Sequence, residues 1–188
     1  MLLIYIGIGV AVVVAVLAIV VARKPKEFRI SRSVKIDAPA ENAFALVNDF
    51  RAWRQWSPFE KLDPNMQRTY GGPADGVGAT YAWTGKGQVG QGQMTIEKAR
   101  WPLQIEIRLE FFKPFKAVNL ATFTFEPLAD GTRVTWAMEG RNNFVCSIIG
   151  LFMNMDKCVG DDFQRGLETM KTLAETRSTA TLETAALN

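Results

Sequence analysis

Three acids (Asp156, Asp161, Asp162), two tyrosines (Tyr70, Tyr81) and a glycine string, "GKGQVG" from Gly85 to Gly90, are the parts of this chain from which chemistry could be assembled. Histidine is absent. Its absence removes Ser-His and Cys-His nucleophiles and every metal site that needs an imidazole, and leaves proton transfer to Asp, Glu, Lys or Tyr. The acids do not converge. Asp156 and Asp161 lie roughly 140° apart around a helix, which suits a solvated face or a rim and leaves a two-carboxylate hydrolase unsupported. The glycine string matches GxGxxG literally but joins two alternating segments instead of opening a helix, so it reads as a hairpin turn and not a dinucleotide cradle. Cys146 and Cys158, if on one helix, stand ~18 Å apart, too far for a disulfide. No metal or other cofactor is expected, and an enzyme is the less favoured class.

The hydrophobic pattern shows what would carry these residues. In "EFRISRSVKI", Phe28, Ile30, Val34 and Ile36 share one strand face with Arg32 as its one charge, an edge or rim device in preference to a polar group in a cavity. "DAPAENAFALV" reads as a helix with Asp37 as cap, Pro39 in the first turn and Phe44 and Val47 on the buried side. A second short helix follows, capped by Asp49 and stopped at Ser57 by Pro58, with Phe50, Trp53 and Trp56 along one side. From Leu103 to Phe111, "LQIEIRLEF", every odd position is apolar and every even one polar, which is a half-buried strand. "GTRVTWAMEG" repeats this with Val134, Trp136 and Met138, and "ATFTFEP", "ATYAW" and "GQMTIEKA" are weaker versions separated by turns. Such strands build an antiparallel sheet with one apolar face. From Ile148, apolar positions in steps of three and four predict an amphipathic helix of about 28 residues ending near Glu175. Gly160 and Gly166 inside it mark close approach of backbone or ligand, and residues 177–188 are expected to fray.

The front of the chain differs. Residues 2–22 carry no charge and as a helix reach roughly 31 Å, the thickness of a bilayer core. A cleaved signal peptide competes, but no basic segment precedes the run and the run exceeds the usual apolar core, so a retained transmembrane helix is favoured. Arg23, Lys24 and Lys26 follow at once, a cluster that predicts a single-pass inner or plasma membrane protein with its following domain in the cytoplasm. These charges either lie on anionic headgroups or form a solvated linker. A net charge of +3 with scattered basic residues gives no nucleic-acid surface.

The order is therefore strand, two short helices, a run of strands and a long helix, an α+β arrangement in which sheet and helix bury each other's apolar faces. "IDAPAENAFALVNDFRAWRQWSP", "KLDPNMQRTYGGPADGVGATYAWTG", "VGQGQM", "GTRVTWAMEG" and "LFMNMDKCVGDDFQRGLETMKTLAE" resemble the START-like or SRPBCC superfamily, in its polyketide cyclase and lipid-transport branch. The resemblance spans residues 28–176 and implies a helix-grip fold, with a curved antiparallel sheet of about seven strands wrapped around the C-terminal helix. It also implies an apolar cavity between them for a hydrophobic small molecule or lipid. The inward set then becomes the candidate lining: Tyr81, Trp83, Met94, Ile96, Leu103, Ile105, Ile107, Leu109, Phe111, Phe123, Phe125, Val134, Trp136 and Met138, with Phe152, Met155, Val159 and Phe163 of the helix. The alternative is that these side chains close on one another as a dry core. Trp53 and Trp56 are read as packing that plugs one end of the grip, with ligand contact as the second possibility. "FVCSIIGLFMNM", residues 144–155, is either the start of a buried helix or a Met-rich gate resting on the membrane. Two further functions stay open: a cyclase in which Tyr70, Tyr81 or an Asp moves a proton, and a tethered interaction module with a filled core.

Overall fold

The structure, a computed structural model, describes Tyr5 and residues 27–87, 89–141 and 155–186. Seven antiparallel strands form one sheet in the order β1-β7-β6-β5-β4-β3-β2. They are β1 (Glu27–Ile36), β2 (Gln67–Gly71), β3 (Thr80–Thr84), β4 (Gln91–Arg100), β5 (Gln104–Lys113), β6 (Ala117–Leu128) and β7 (Gly131–Arg141). Between β1 and β2 lie α1 (Ala40–Asn48), α2 (Trp53–Trp56) and a 3-10 turn (Pro58–Lys61), and α3 (Met155–Ala186) follows the sheet. This is the helix-grip arrangement. Among the described residues no helix is long and apolar enough to cross a membrane, and the predicted span at residues 2–22 lies outside them apart from Tyr5.

The alternating pattern becomes a set of rows across the sheet. Arg32, Trp136, Phe123 and Ile105 align through β1, β7, β6 and β5, and Ile30, Met138, Ala121 and Ile107 form the next row. A third row is Phe28, Gly140, Asn119 and Leu109. All point to the side covered by α1, α2 and α3, where Phe44, Val47, Phe50, Leu167, Met170 and Ala174 complete one core. Full burial of side chains this size contributes roughly 1.5–3 kcal/mol each.

Several local expectations need correction. Leu103 is not an inward strand residue: its amide donates to Arg100 O (2.6 Å), which closes a turn, and its side chain is 42% exposed, so β5 starts at Gln104. Asp37 does not cap α1. Pro39 holds the cap position without a side-chain bond, and the Asp37 amide instead donates to Glu175 Oε1 (2.8 Å) on α3. The helix also passes Glu175 and continues to Ala186, because "TATLETAA" contains neither glycine nor proline to stop it. Nor does Asp49 cap α2, where Ala52 holds that position and Asp49 Oδ1 accepts from the Arg51 amide instead. The remaining expectations fare better. Ser57 is extended (φ −68°, ψ 125°) ahead of Pro58, and the glycine string is the β3–β4 hairpin, with the Gly85 amide bonded to Gly90 O. Arg32 sits on the edge strand and reaches Asp156, donating to its carboxylate at 3.2 Å and its backbone oxygen at 2.9 Å. Gly160 faces that guanidinium directly, so a Cβ there would collide with it.

Candidate functional site

The space between sheet and helix divides into a closed part and a half-covered part. In the closed part Trp136 stacks on Phe163 at 4.0 Å between centroids and 8° between planes, and Phe123 stacks on Trp136 at 5.0 Å. Trp53 and Trp56 meet the same rings edge-on. Their indole N–H groups donate to Val47 O (3.0 Å) and Leu46 O (2.9 Å), carbonyls in the last turn of α1 that have no partner within the helix. The paired tryptophans therefore terminate α1 as well as fill the grip. Tyr81, Trp83, Met94, Ile105, Ile107 and Phe125 are buried with them.

The half-covered part lies in the rows nearer the start of β1. Asp156, in the first turn of α3, contacts Arg32, and Phe28 and Ile30 lie further along β1 toward its start. In those outer rows Phe28, Leu109, Phe111 and Met138 are only partly buried, as is Val159 on the helix. Asn119 sits among them, 8% exposed, and its Oδ1 has no hydrogen-bond partner. A buried polar atom without a partner costs about 1–3 kcal/mol, and Trp136 Nε1 in the closed part is another. Phe152 lies outside the described residues, as do the Met155 side chain and most of the 144–155 segment. Two surface grooves also occur. One, about 440 Å³, lies at the start of α1 beside Pro102 and Pro127, and the other, about 720 Å³, runs along the end of the sheet and is walled largely by the charged residues Arg29, Glu97, Arg108 and Glu139, with Phe28 and Asn119 at its border.

Beside the aromatic stack stands a polar cluster that the sequence did not reveal. Glu60, 9% exposed on the 3-10 turn, accepts from Tyr81 Oη at 2.5 Å and from Arg68 Nε at 2.7 Å. Burial, and then the bond to Glu60, push the Tyr81 phenol well above its ordinary range, and the same carboxylate raises Arg68. Tyr70 stacks on Tyr81 at 5.3 Å, its hydroxyl is buried without a partner, and burial raises it too. Both phenols therefore hold their protons at neutral pH, and that of Tyr81 is committed to Glu60. A signal existed in hindsight, because Arg68 and Tyr70 occupy the strand face that pairs with Trp83 and Tyr81. Glu60 had none, since an acid two residues after a proline reads as solvated.

The acids Asp156 and Asp161 are exposed, Asp162 pairs with Arg165, and Cys158 is free and exposed. Among the described residues no group of His, Cys, Asp or Glu is arranged to hold a metal. The family described as "Polyketide cyclase / dehydrase and lipid transport" matches residues 27–175. The chain belongs to this family. No curated protein matches it. The di-domain ARO/CYC BexL of the BE-7585A biosynthetic pathway is similar at 13% identity and a TM-score of 0.60, over 84% of this chain and 53% of that one. The Aha1 dimer protein of Colwellia psychrerythraea is similar at 13% identity and a TM-score of 0.55, over 79% and 96%. A protein from Arthrobacter aurescens reaches 21% identity and a TM-score of 0.55, over 79% and 86%. At such identities these likenesses carry the fold and not an activity.

Proposed function

We propose that this family member is a membrane-anchored binder of a hydrophobic small molecule or lipid, held against the outer rows of the sheet under the start of the C-terminal helix. The observation that carries the reading is the half-covered apolar set Phe28, Leu109, Phe111 and Met138 around the unpaired Asn119 oxygen. An apolar surface with one convergent polar atom is the usual make-up of a small-molecule site. The uncharged run at residues 2–22 supplies the anchor, with Arg23, Lys24 and Lys26 holding the domain on the cytoplasmic side. A proton-moving cyclase is less well supported, because burial raises both phenols and Tyr81 is tied to Glu60. The tethered interaction module keeps one favourable observation, the closed stack of Trp136 on Phe163.

Native mass spectrometry of the full chain, released from membranes in mild detergent and followed by solvent extraction, tests the proposal. The expected result is a bound apolar mass that Met138→Trp, filling the outer rows, displaces. A clean apo mass for the wild-type chain sinks the binding reading and favours the interaction module.

A further inference from the structure

The β5–β6 hairpin carries apolar side chains that the fold does not use. Phe112, Phe115 and Val118 are 44%, 45% and 53% exposed, and Lys113 and Lys116 alternate with the rings in the stretch "FKPFKA". Core packing does not explain this, since the inward neighbours Leu109 and Phe111 already serve the sheet's inner face. Position explains it. Glu27 pairs with Arg141, and the next row joins Phe28, Gly140, Asn119 and Leu109, so the hairpin lies at the end of the sheet where the chain enters β1. The hairpin continues past the Glu27 row through the Phe111–Ala117 pair and its turn, a projection of roughly 10 Å.

From Ala22, the last residue of the uncharged run, the chain has at most about 18 Å of extended backbone before Glu27 fixes the sheet. Taken with the membrane-anchored reading, on which this step rests, that short tether holds the hairpin end within reach of the headgroups. We infer that the β5–β6 hairpin is a membrane-docking tip, with Phe112 and Phe115 entering the headgroup–acyl boundary of an anionic bilayer and Lys113 and Lys116 on its surface. Aromatic rings and lysines are the residues that settle at that depth, the rings as amphipathic wedges and the lysines with stems in and charges out. Each lysine near the surface contributes about 1 kcal/mol, an attraction that salt screens. Docking sets the half-covered outer rows beside the bilayer, the source of an apolar ligand.

Hydrogen exchange on the full chain in nanodiscs of neutral lipid, or of neutral lipid with a third phosphatidylglycerol, tests the tip. Carbonate extraction of host membranes tests the anchor separately. Exchange across residues 111–118 is expected to slow about tenfold in the anionic discs relative to detergent, and less in neutral ones. Phe112→Ser with Phe115→Ser should abolish the slowing and leave exchange in β7 and carbonate-resistant retention unchanged. Both rings are exposed, so the fold tolerates the pair. Retention without any slowing at 111–118 overturns the docking tip and leaves the anchor standing, as does slowing that the double substitution does not touch. Extraction by carbonate overturns the anchor and with it the tether that aims the hairpin.

Discussion

The two ends of the grip are built from the same kind of residue and put it to opposite uses. Around Trp53, Trp56, Phe123, Trp136 and Phe163 every ring meets another ring, and two indoles also tie off the α1 carbonyls. Around Phe28, Leu109, Phe111 and Met138 the side chains share the face of the same strands but are incompletely covered, with an unpaired oxygen among them. An antiparallel sheet extends both ends by one pattern, so strand alternation does not separate them. What separates them is the set of rings from α2 and α3, Trp53, Trp56 and Phe163, that closes on Trp136 at one end. Stability is expected at the closed end and ligand contact at the other.

The hardest test of that division removes one large side chain from each end. Trp56→Ala should cost about 3–5 kcal/mol in urea unfolding, because a fully buried ring goes and Leu46 O loses its donor. Met138→Ala, at the half-covered end, should cost about 1 kcal/mol while weakening retention of the bound mass. Equal costs would mean that both ends are core.

The polar cluster gives the next largest effect. Glu60→Ala leaves the Arg68 guanidinium buried without its partner, and about 3 kcal/mol should be lost. Glu60→Ala together with Arg68→Met should recover much of it, because the unpaired charge leaves along with its partner. If the double variant is no better than the single, the pair is not what the loss measures.

Tyr81 sharpens the picture through pH. Its folded phenol is raised above the unfolded value, so its contribution is complete below about pH 10 and is lost as pH rises through the higher folded value. Between the two values the native state holds a proton that the unfolded chain has released, and stability should fall by about 1.4 kcal/mol per pH unit for this one group. Tyr70, also raised, adds to the slope. Tyr81→Phe should make denaturation midpoints above pH 10 less steep by that amount. An unchanged slope would place Tyr81 in an ordinary environment and dissolve the cluster.

These experiments also bear on what could be read from the sequence. The strands from β3 to β7 were legible because a sheet covered on one face imposes period two, as Ile105, Ile107 and Leu109 illustrate. The rows across the sheet were not, since register arises from pairing between segments far apart in sequence, such as Arg32 with Trp136. The Trp53–Trp56 pair was legible as packing, but its bonds to Leu46 and Val47 depend on where α1 ends in space. Glu60 was invisible for the same reason: its partners Arg68 and Tyr81 come from two different strands.

The smallest effect concerns the joint between the two ends. Gly160 was singled out as a place of close approach, and what approaches is the Arg32 guanidinium held by Asp156. In Gly160→Ala the new methyl displaces the far end of a flexible side chain, not backbone, so Arg32 can swing aside. Displacement weakens a partly exposed ion pair, and the helix gains from losing a glycine. The two nearly cancel, and the unfolding midpoint should barely move. A drop as large as that expected for Glu60→Ala would mean that Arg32 fixes α3 over the sheet through Asp156, and the closed end would then depend on that one contact as well as on the rings that α2 and α3 contribute.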